Sequence, residues 1–433
     1  MIDYQSDAAF AKRMDAEDPL RGFRERFYIP PAPNGGEALY FCGNSLGLQP
    51  KATEASVLQE LEDWKNMGVH GHLGAKNPWL PYHEFLTENL AKIVGAKPVE
   101  VVAANSLTVN LHLMMVSFYR PTQERFKILI EGGAFPSDRY AAVSQIKFHG
   151  FDPAEALIEL APRTGEKTLR IEDILDVIES EGAQIALILI GGVQYYTGQL
   201  FNMAAITKAG HDKGCIVGFD LAHAAGNVEL KLHDWDVDFA CWCSYKYLNA
   251  GPGSVAGLFV HERHAQNNDL PRFCGWWGHD KESRFKMGPE FHAITGAEGW
   301  QLSNPPILSL AAVKASLEVF AEAGMERLVE KSRKLTGYLA FLLNALESDA
   351  FVMMTPDDPA QRGCQISITV TGGGGKEIFA GLEAAGIVCD WREPDCIRLA
   401  PVPLYNSYQD IYDFVRIFAE QLGLNGKLQE AAG

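Results

Sequence analysis

Two residues in this 433-residue chain have the type and setting for covalent and proton-transfer chemistry. Lys246 lies in Cys241-Trp242-Cys243-Ser244-Tyr245-Lys246-Tyr247-Leu248-Asn249-Ala250-Gly251-Pro252-Gly253, an aromatic and small-residue stretch that breaks into a Gly/Pro turn. It follows the run Val237 to Ala240, expected to be a buried strand. With no acidic residue within several positions, a lysine here is expected to be desolvated, which favours the neutral amine. That is the form that makes a Schiff base with a carbonyl. On this segment alone, a lysine whose stem is buried and whose ammonium reaches solvent is the plainer reading.

Asp220 shifts the balance. Ile216 to Gly226 reads as a second buried strand that ends in this aspartate and then a small-residue turn. One connection separates Asp220 from Lys246, so both can open on one edge of an α/β sheet. An amine for the aldehyde and a carboxylate that keeps a pyridinium nitrogen protonated are what pyridoxal phosphate requires. Either residue alone is a weak sign; the ordered pair is a strong one.

Other positions leave alternatives open. His70 and His72 share a flexible loop, Gly68 to Gly74, but no third ligand is near, so no metal is expected and a substrate contact is the better reading. Ala103 to Asn110 is a strand-to-helix junction where Ser106 or Thr108 would cap a helix through Met115. Its free amides suit a phosphate, and an ordinary N-cap explains them equally. Phe135, after the strand Phe126 to Ile130, can stack on a cofactor ring or close the core. Gly372 to Gly375 lacks the residues of a Walker loop and reads as a flexible turn. Arg398 falls in an apolar strand, where a guanidinium is costly unless it meets a carboxylate.

The elements that must carry these residues are those of an α/β protein. Fully apolar strands such as Ile185 to Ile190 alternate with helices such as Met203 to Lys213, which predicts a mostly parallel sheet covered on both faces. Ligands bind such sheets beyond the strand ends. After Ser303-Asn304-Pro305-Pro306, two long helices (Ile307 to Phe320, Met325 to Leu346) and strands at Gln365 to Val370 and Ile387 to Val388 predict a smaller α/β domain. The expected division is an N-terminal arm (1–50) contributing to the small domain, a large cofactor-binding domain (51–303) and the small domain (304–433). The composition, 47% hydrophobic and 21% charged, is that of a soluble globular protein with ample core. A net charge of −17 argues against nucleic acid and anionic membranes as partners. Scattered cysteines, the absence of an apolar signal core and of any membrane-length run all point to the cytoplasm.

With these residues laid out, the chain resembles the kynureninase family of fold-type-I, aspartate-aminotransferase-like enzymes over nearly its whole length. The resemblance is carried by Gly43 to Leu48, Asn105 to Leu113, Phe135 to Asp138, Gln194 to Gly198, Phe219 to Asn227, Ser244 to Gly251, Gly275-Trp276 and Ser303 to Pro306. It implies a homodimer with its active sites at the subunit interface, and hydrolysis of L-kynurenine or 3-hydroxykynurenine to anthranilate or its hydroxy form and L-alanine, in tryptophan catabolism. It implies that Lys246 holds pyridoxal 5'-phosphate and shuttles protons, with Asp220 on the pyridinium, His223 near the ring, Phe135 stacked on it and Asp138 close by. Leu107, Thr108, Tyr245 and Trp276 of the other subunit would hold the phosphate, and Tyr245 is the candidate for proton transfer during ketone hydration. Asn304, counted with cofactor and substrate contacts alike, would line the aryl and ketone end with His72 and Ser45, and Arg398 would take the substrate carboxylate. Some relatives have a serine where this chain has Gly191. Rival readings are an aminotransferase, a cysteine desulfurase using Cys274 or Cys364, and a silent binding protein on the same fold.

Overall fold

A computed structural model describes residues 2–267 and 270–424. The strands Val101–Ala103 (β1), Lys127–Glu131 (β2), Leu157–Leu160 (β3), Ile185–Gly191 (β4), Ile216–Asp220 (β5), Phe239–Trp242 (β6) and Gly257–Val260 (β7) form one sheet. Their order across it is β1-β7-β6-β5-β4-β2-β3. β7 runs antiparallel to both neighbours and the other pairings are parallel. Every residue of β4 is buried, as a strand covered by helices on both faces requires.

The run expected as a strand at Val237 to Ala240 forms one later, at Phe239–Trp242. The reason is Asp238. Its carboxylate is only 2% exposed and accepts hydrogen bonds from the Val217 amide, His211, His264 and Arg263.

A second, antiparallel sheet takes the strands Asp390–Arg392, Cys396–Leu399, Ile366–Val370 and Phe351–Met353 in that order. Its core gathers Leu335, Leu339, Ile368 and Phe414 with Phe10, Ala11 and Phe41 from the N-terminal arm. Leu39–Tyr40 also pairs in parallel with Ile387–Val388. Asp15 accepts from the amides of Tyr408 and Gln409 at 2.7 and 3.0 Å, tying the first helix, Ala8–Glu17, to Tyr408–Gln421.

The boundary expected at residue 303 needs correction. The helix Ile307–Ala323 packs on Ala52–Met67 and Glu84–Val94, and its Leu310, Val313, Leu317 and Phe320 belong to the core of the large unit. The small core begins only within Met325–Ala345. The arm is likewise shared, because Leu20, Phe23 and Phe27 join the large core. Among the described residues no helix is long and apolar enough to cross a membrane.

Candidate active site

The C-terminal edge of β2, β4, β5 and β6 opens on one cavity of about 190 Å³. Asp220 is the last residue of β5 and Lys246 follows the end of β6. Both line the cavity. The Lys246 Nζ lies 3.0 Å from Nε2 of His223, 5.8 Å from the centre of the Phe135 ring and 5.9 Å from that of Tyr245. The loop that carries Lys246 is braced from behind by the Gly43 to Leu48 turn. There the Gly47 amide donates to the Tyr245 carbonyl at 2.8 Å, and a Cβ at Gly47 would fall 2.3 Å from the Lys246 carbonyl. Only glycine fits that approach.

A second wall is the start of the helix Leu107–Phe118. The turn into it is made by Asn105, at φ 55°, whose side-chain amide donates to Asn110 at 2.9 Å. Ser106 has extended N-cap geometry but its side chain makes no cap bond. Leu107 and Thr108 therefore present first-turn amides without intrahelical acceptors, beside a Thr108–Ser137 hydroxyl pair 3.0 Å apart. Phe135 stands 43% exposed at the mouth, edge-on to Tyr195 at 5.3 Å.

Charge in the cavity is unbalanced. Asp138 and Asp220 share a hydrogen bond, and burial raises both carboxyls above the usual range. For Asp138 the charges of Asp220 and Glu131 add to that rise. Glu131, at the end of β2, is pushed up to about 7 by burial. His223 is held neutral by burial and by the Lys246 charge, and its Nδ1 is buried without a partner. Burial also pushes the Tyr245 hydroxyl up, with Cys243 adding to the effect. Lys246 is the one basic side chain of the lining residues besides that imidazole.

Leu107, Thr108, Phe135, Asp138, His223 and Tyr245 thus meet with Lys246 and Asp220 in one place. Trp276 and Asn304 do not line this cavity on the same chain. Trp276 is 44% exposed in a separate depression with Met287 and Phe291, and Asn304 is exposed. His72 packs edge-on against Trp79 at 5.4 Å and keeps a buried Nδ1 without a partner. Ser45 lies in the turn that braces the Lys246 loop. Arg398 is 1% exposed, ion-paired with Asp390, and donates to the Tyr195 carbonyl at 2.6 Å. Asp390 alone therefore meets the condition its strand position imposes, and no substrate is needed to explain it. Glu131, Ser137 and Tyr195 also line the cavity and were not singled out from sequence. Of the loop cysteines, Cys274 is exposed, but Cys364 is buried with its thiol pushed up to about 12, which removes it as an accessible nucleophile. Among the described residues, two clusters have ligand-like spacing, Glu100/His233/His261 and His83/Glu84/Glu298, and neither includes His70 or His72.

A curated kynureninase from Koribacter versatilis is 63% identical over 413 residues, covering 95% of this chain and 97% of that protein. One from Myxococcus xanthus is 59% identical with the same coverage. The chain belongs to the kynureninase family. Residues 328–418 match the family described as Kynureninase C-terminal domain, and that span begins within the helix in which the small core starts. The architecture is that of fold-type-I enzymes. A cysteine desulfurase from Thermococcus onnurineus superposes with a TM-score of 0.72 at 18% identity, covering 91% of this chain and 98% of the other. A C-DES variant with glycine covalently linked to its PLP cofactor gives 0.75 at 17%, again over 91% and 98%. At such identity these structures speak for the fold. The family, with its enzymatic character, comes from the kynureninases.

Proposed function

We propose that this chain binds pyridoxal 5'-phosphate in the 190 Å³ cavity and hydrolyses L-kynurenine or 3-hydroxykynurenine to anthranilate or 3-hydroxyanthranilate and L-alanine. The observation that carries this reading is the meeting of an amine, a buried acid pair and a helix start in one cavity of a kynureninase-family chain. The donor set suits the cofactor. The acids outnumber the basic groups facing them, and a protonated ring nitrogen supplies the missing positive charge. The first-turn amides of Leu107 and Thr108, with the hydroxyls of Thr108 and Ser137, suit a phosphate.

When bound, pyridoxal phosphate supplies an electron sink for charge developing at the substrate Cα. The chain's residues do the rest. The Lys246 amine holds the cofactor aldehyde and then carries the Cα proton. Asp220, hydrogen-bonded to Asp138, holds a proton on the ring nitrogen. Phe135 covers a ring face, and neutral His223 accepts from Lys246 without adding charge. Tyr245 keeps its proton at neutral pH, so its hydroxyl can pass one to the γ-carbonyl oxygen as water adds. Arg398, held by Asp390, is the guanidinium assigned to the substrate carboxylate. Ser45, His72 and Asn304 line the aryl and ketone end.

The active unit in this reading is a homodimer. Trp276 and Asn304, outside the cavity on their own chain, enter that of the second copy, and exposed Trp64, Val69 and Leu73 would be covered there. The free cysteines suit a reducing cytoplasm.

The test is to load purified protein with pyridoxal phosphate and add kynurenine, following visible absorbance and anthranilate fluorescence with and without a keto acid. A visible band with acceptor-independent anthranilate release is expected. Release that needs the keto acid points to transamination instead, and a colourless protein ends the proposal.

A further inference from the structure

Glu131 is a buried acid of this cavity to which the mechanism above gives no task. It ends β2, and across the same sheet edge Gly191 ends β4 and pairs in register with Asp220 at the end of β5. Glu131 is only 4% exposed. Its two carboxyl oxygens stand 3.3 and 3.1 Å from the Gly191 amide, which donates to them. A Cβ at position 191 would sit 2.9 Å from the Glu131 Oε1, closer than real neighbours allow. The carboxyl thus occupies the space that a side chain at 191 would need.

The groups around it are specific. Asp220 and Asp138 face the same cavity, and Lys246, His223, Tyr245 and Tyr195 complete its titratable lining. His223 is neutral and Tyr245 protonated, so Lys246 alone offsets the acids. Asp138 donates to Asp220, a bond that raises its own carboxyl and lowers that of Asp220. Glu131 is then the acid whose charge appears near neutrality, because burial and the charge of Asp220 outweigh the pull of the Gly191 amide.

We propose that Glu131 is a positioning residue of the cofactor site: it fills the place of the missing side chain at 191, and its charge reinforces that of Asp220 on the ring nitrogen. This rests on pyridoxal phosphate being the occupant. Ionising a buried carboxyl costs the empty fold stability. That cost is regained when a cationic ring nitrogen arrives, so the residue couples stability to cofactor binding.

Three measurements decide it. In cofactor-loaded protein, Glu131→Gln lowers the pH midpoint of the visible-absorbance transition by about half a unit or more, since a negative charge near the ring is lost. An unchanged midpoint overturns the electrostatic role, and a merely structural residue would not move it. For the steric role, Gly191→Ser and Glu131→Ala each weaken cofactor binding by about tenfold. The double variant binds more tightly than either one, as expected for groups competing for one space; additive losses overturn it. Without cofactor, the native carboxyl titrates higher than the unfolded one. Wild-type stability therefore falls as pH rises from about 4.5 towards about 7 and the penalty persists above. Cofactor-free Glu131→Gln melts a few degrees above wild type at pH 8 and level with it at pH 5; equal melting at both pH values overturns the buried charge. If wild-type protein binds no pyridoxal phosphate, the functional reading fails, while the cofactor-free melting curves still report on the charge itself.

Discussion

Lys246 faces an imidazole that adds no charge, because buried His223 stays neutral and accepts at 3.0 Å. Replacing the lysine by alanine leaves the cavity walls intact and removes its amine. The expected outcome is loss of the visible band and a fall in turnover of at least about 1,000-fold, read by absorbance and anthranilate fluorescence. A band that survives would take Lys246 out of its role. Tyr245→Phe keeps the ring beside the lysine and removes one hydroxyl. Turnover should drop by about 100-fold with cofactor affinity within about threefold; a kcat within twofold of wild type counts against proton transfer. Lys246 and Asp220 were visible in the sequence because each sits just past a run too apolar to be anything but a buried strand. Glu131 was not. It looks like the first polar residue after one more such strand, and its setting comes from the adjacent strand β4 and a side chain that Gly191 does not have.

At the scale of the element, the start of β6 shows what a hydrophobic pattern leaves out. Asp238 delays the strand because its carboxylate is claimed by Val217, His211, His264 and Arg263 from three other segments. Burial alone would raise this acid, but the bonds from His211, His264 and Arg263 outweigh it and hold it well below the usual carboxylate range. The sign follows. An acid whose native value is depressed stabilises the fold above its unfolded value and loses that contribution as pH falls below about 4. Asp238→Asn should cost about 1.5–3 kcal/mol at pH 7, since part-buried Arg263, His211 and His264 lose a charged acceptor, with the gap from wild type narrowing in acid. Melting curves across pH check both, and a gap constant with pH contradicts the ion pairing. The strands β2, β4 and β5 were legible, since continuous apolar runs leave few alternatives, whereas β3, largely half-exposed, was not. The boundary at 303 misled because Ile307–Ala323 follows a proline break yet spends its apolar face on Ala52–Met67 and Glu84–Val94.

For the whole molecule, the question is which side chains reach which cavity. If Trp276 serves the other subunit, a Lys246→Ala chain and a Trp276→Ala chain, each weak alone, form on mixing a hybrid with one complete site. Activity should return to a substantial fraction of one site per hybrid, measured by anthranilate release after subunit exchange. No recovery would mean that Trp276 acts on its own chain. Within its own chain Trp276 packs edge-on against Trp277 and Phe285, and no apolar pattern in the sequence marks it or Asn304 as shared. The tie between Asp15 and Tyr408, 393 positions apart, bears on how the protein is born. Phe10 leaves the ribosome long before Phe414, its companion in the small core. At ~5–20 residues per second, the opening helix waits about 20–80 s for its counterpart. Until then its greasy side has no home, and the cell must shelter it or risk clumping.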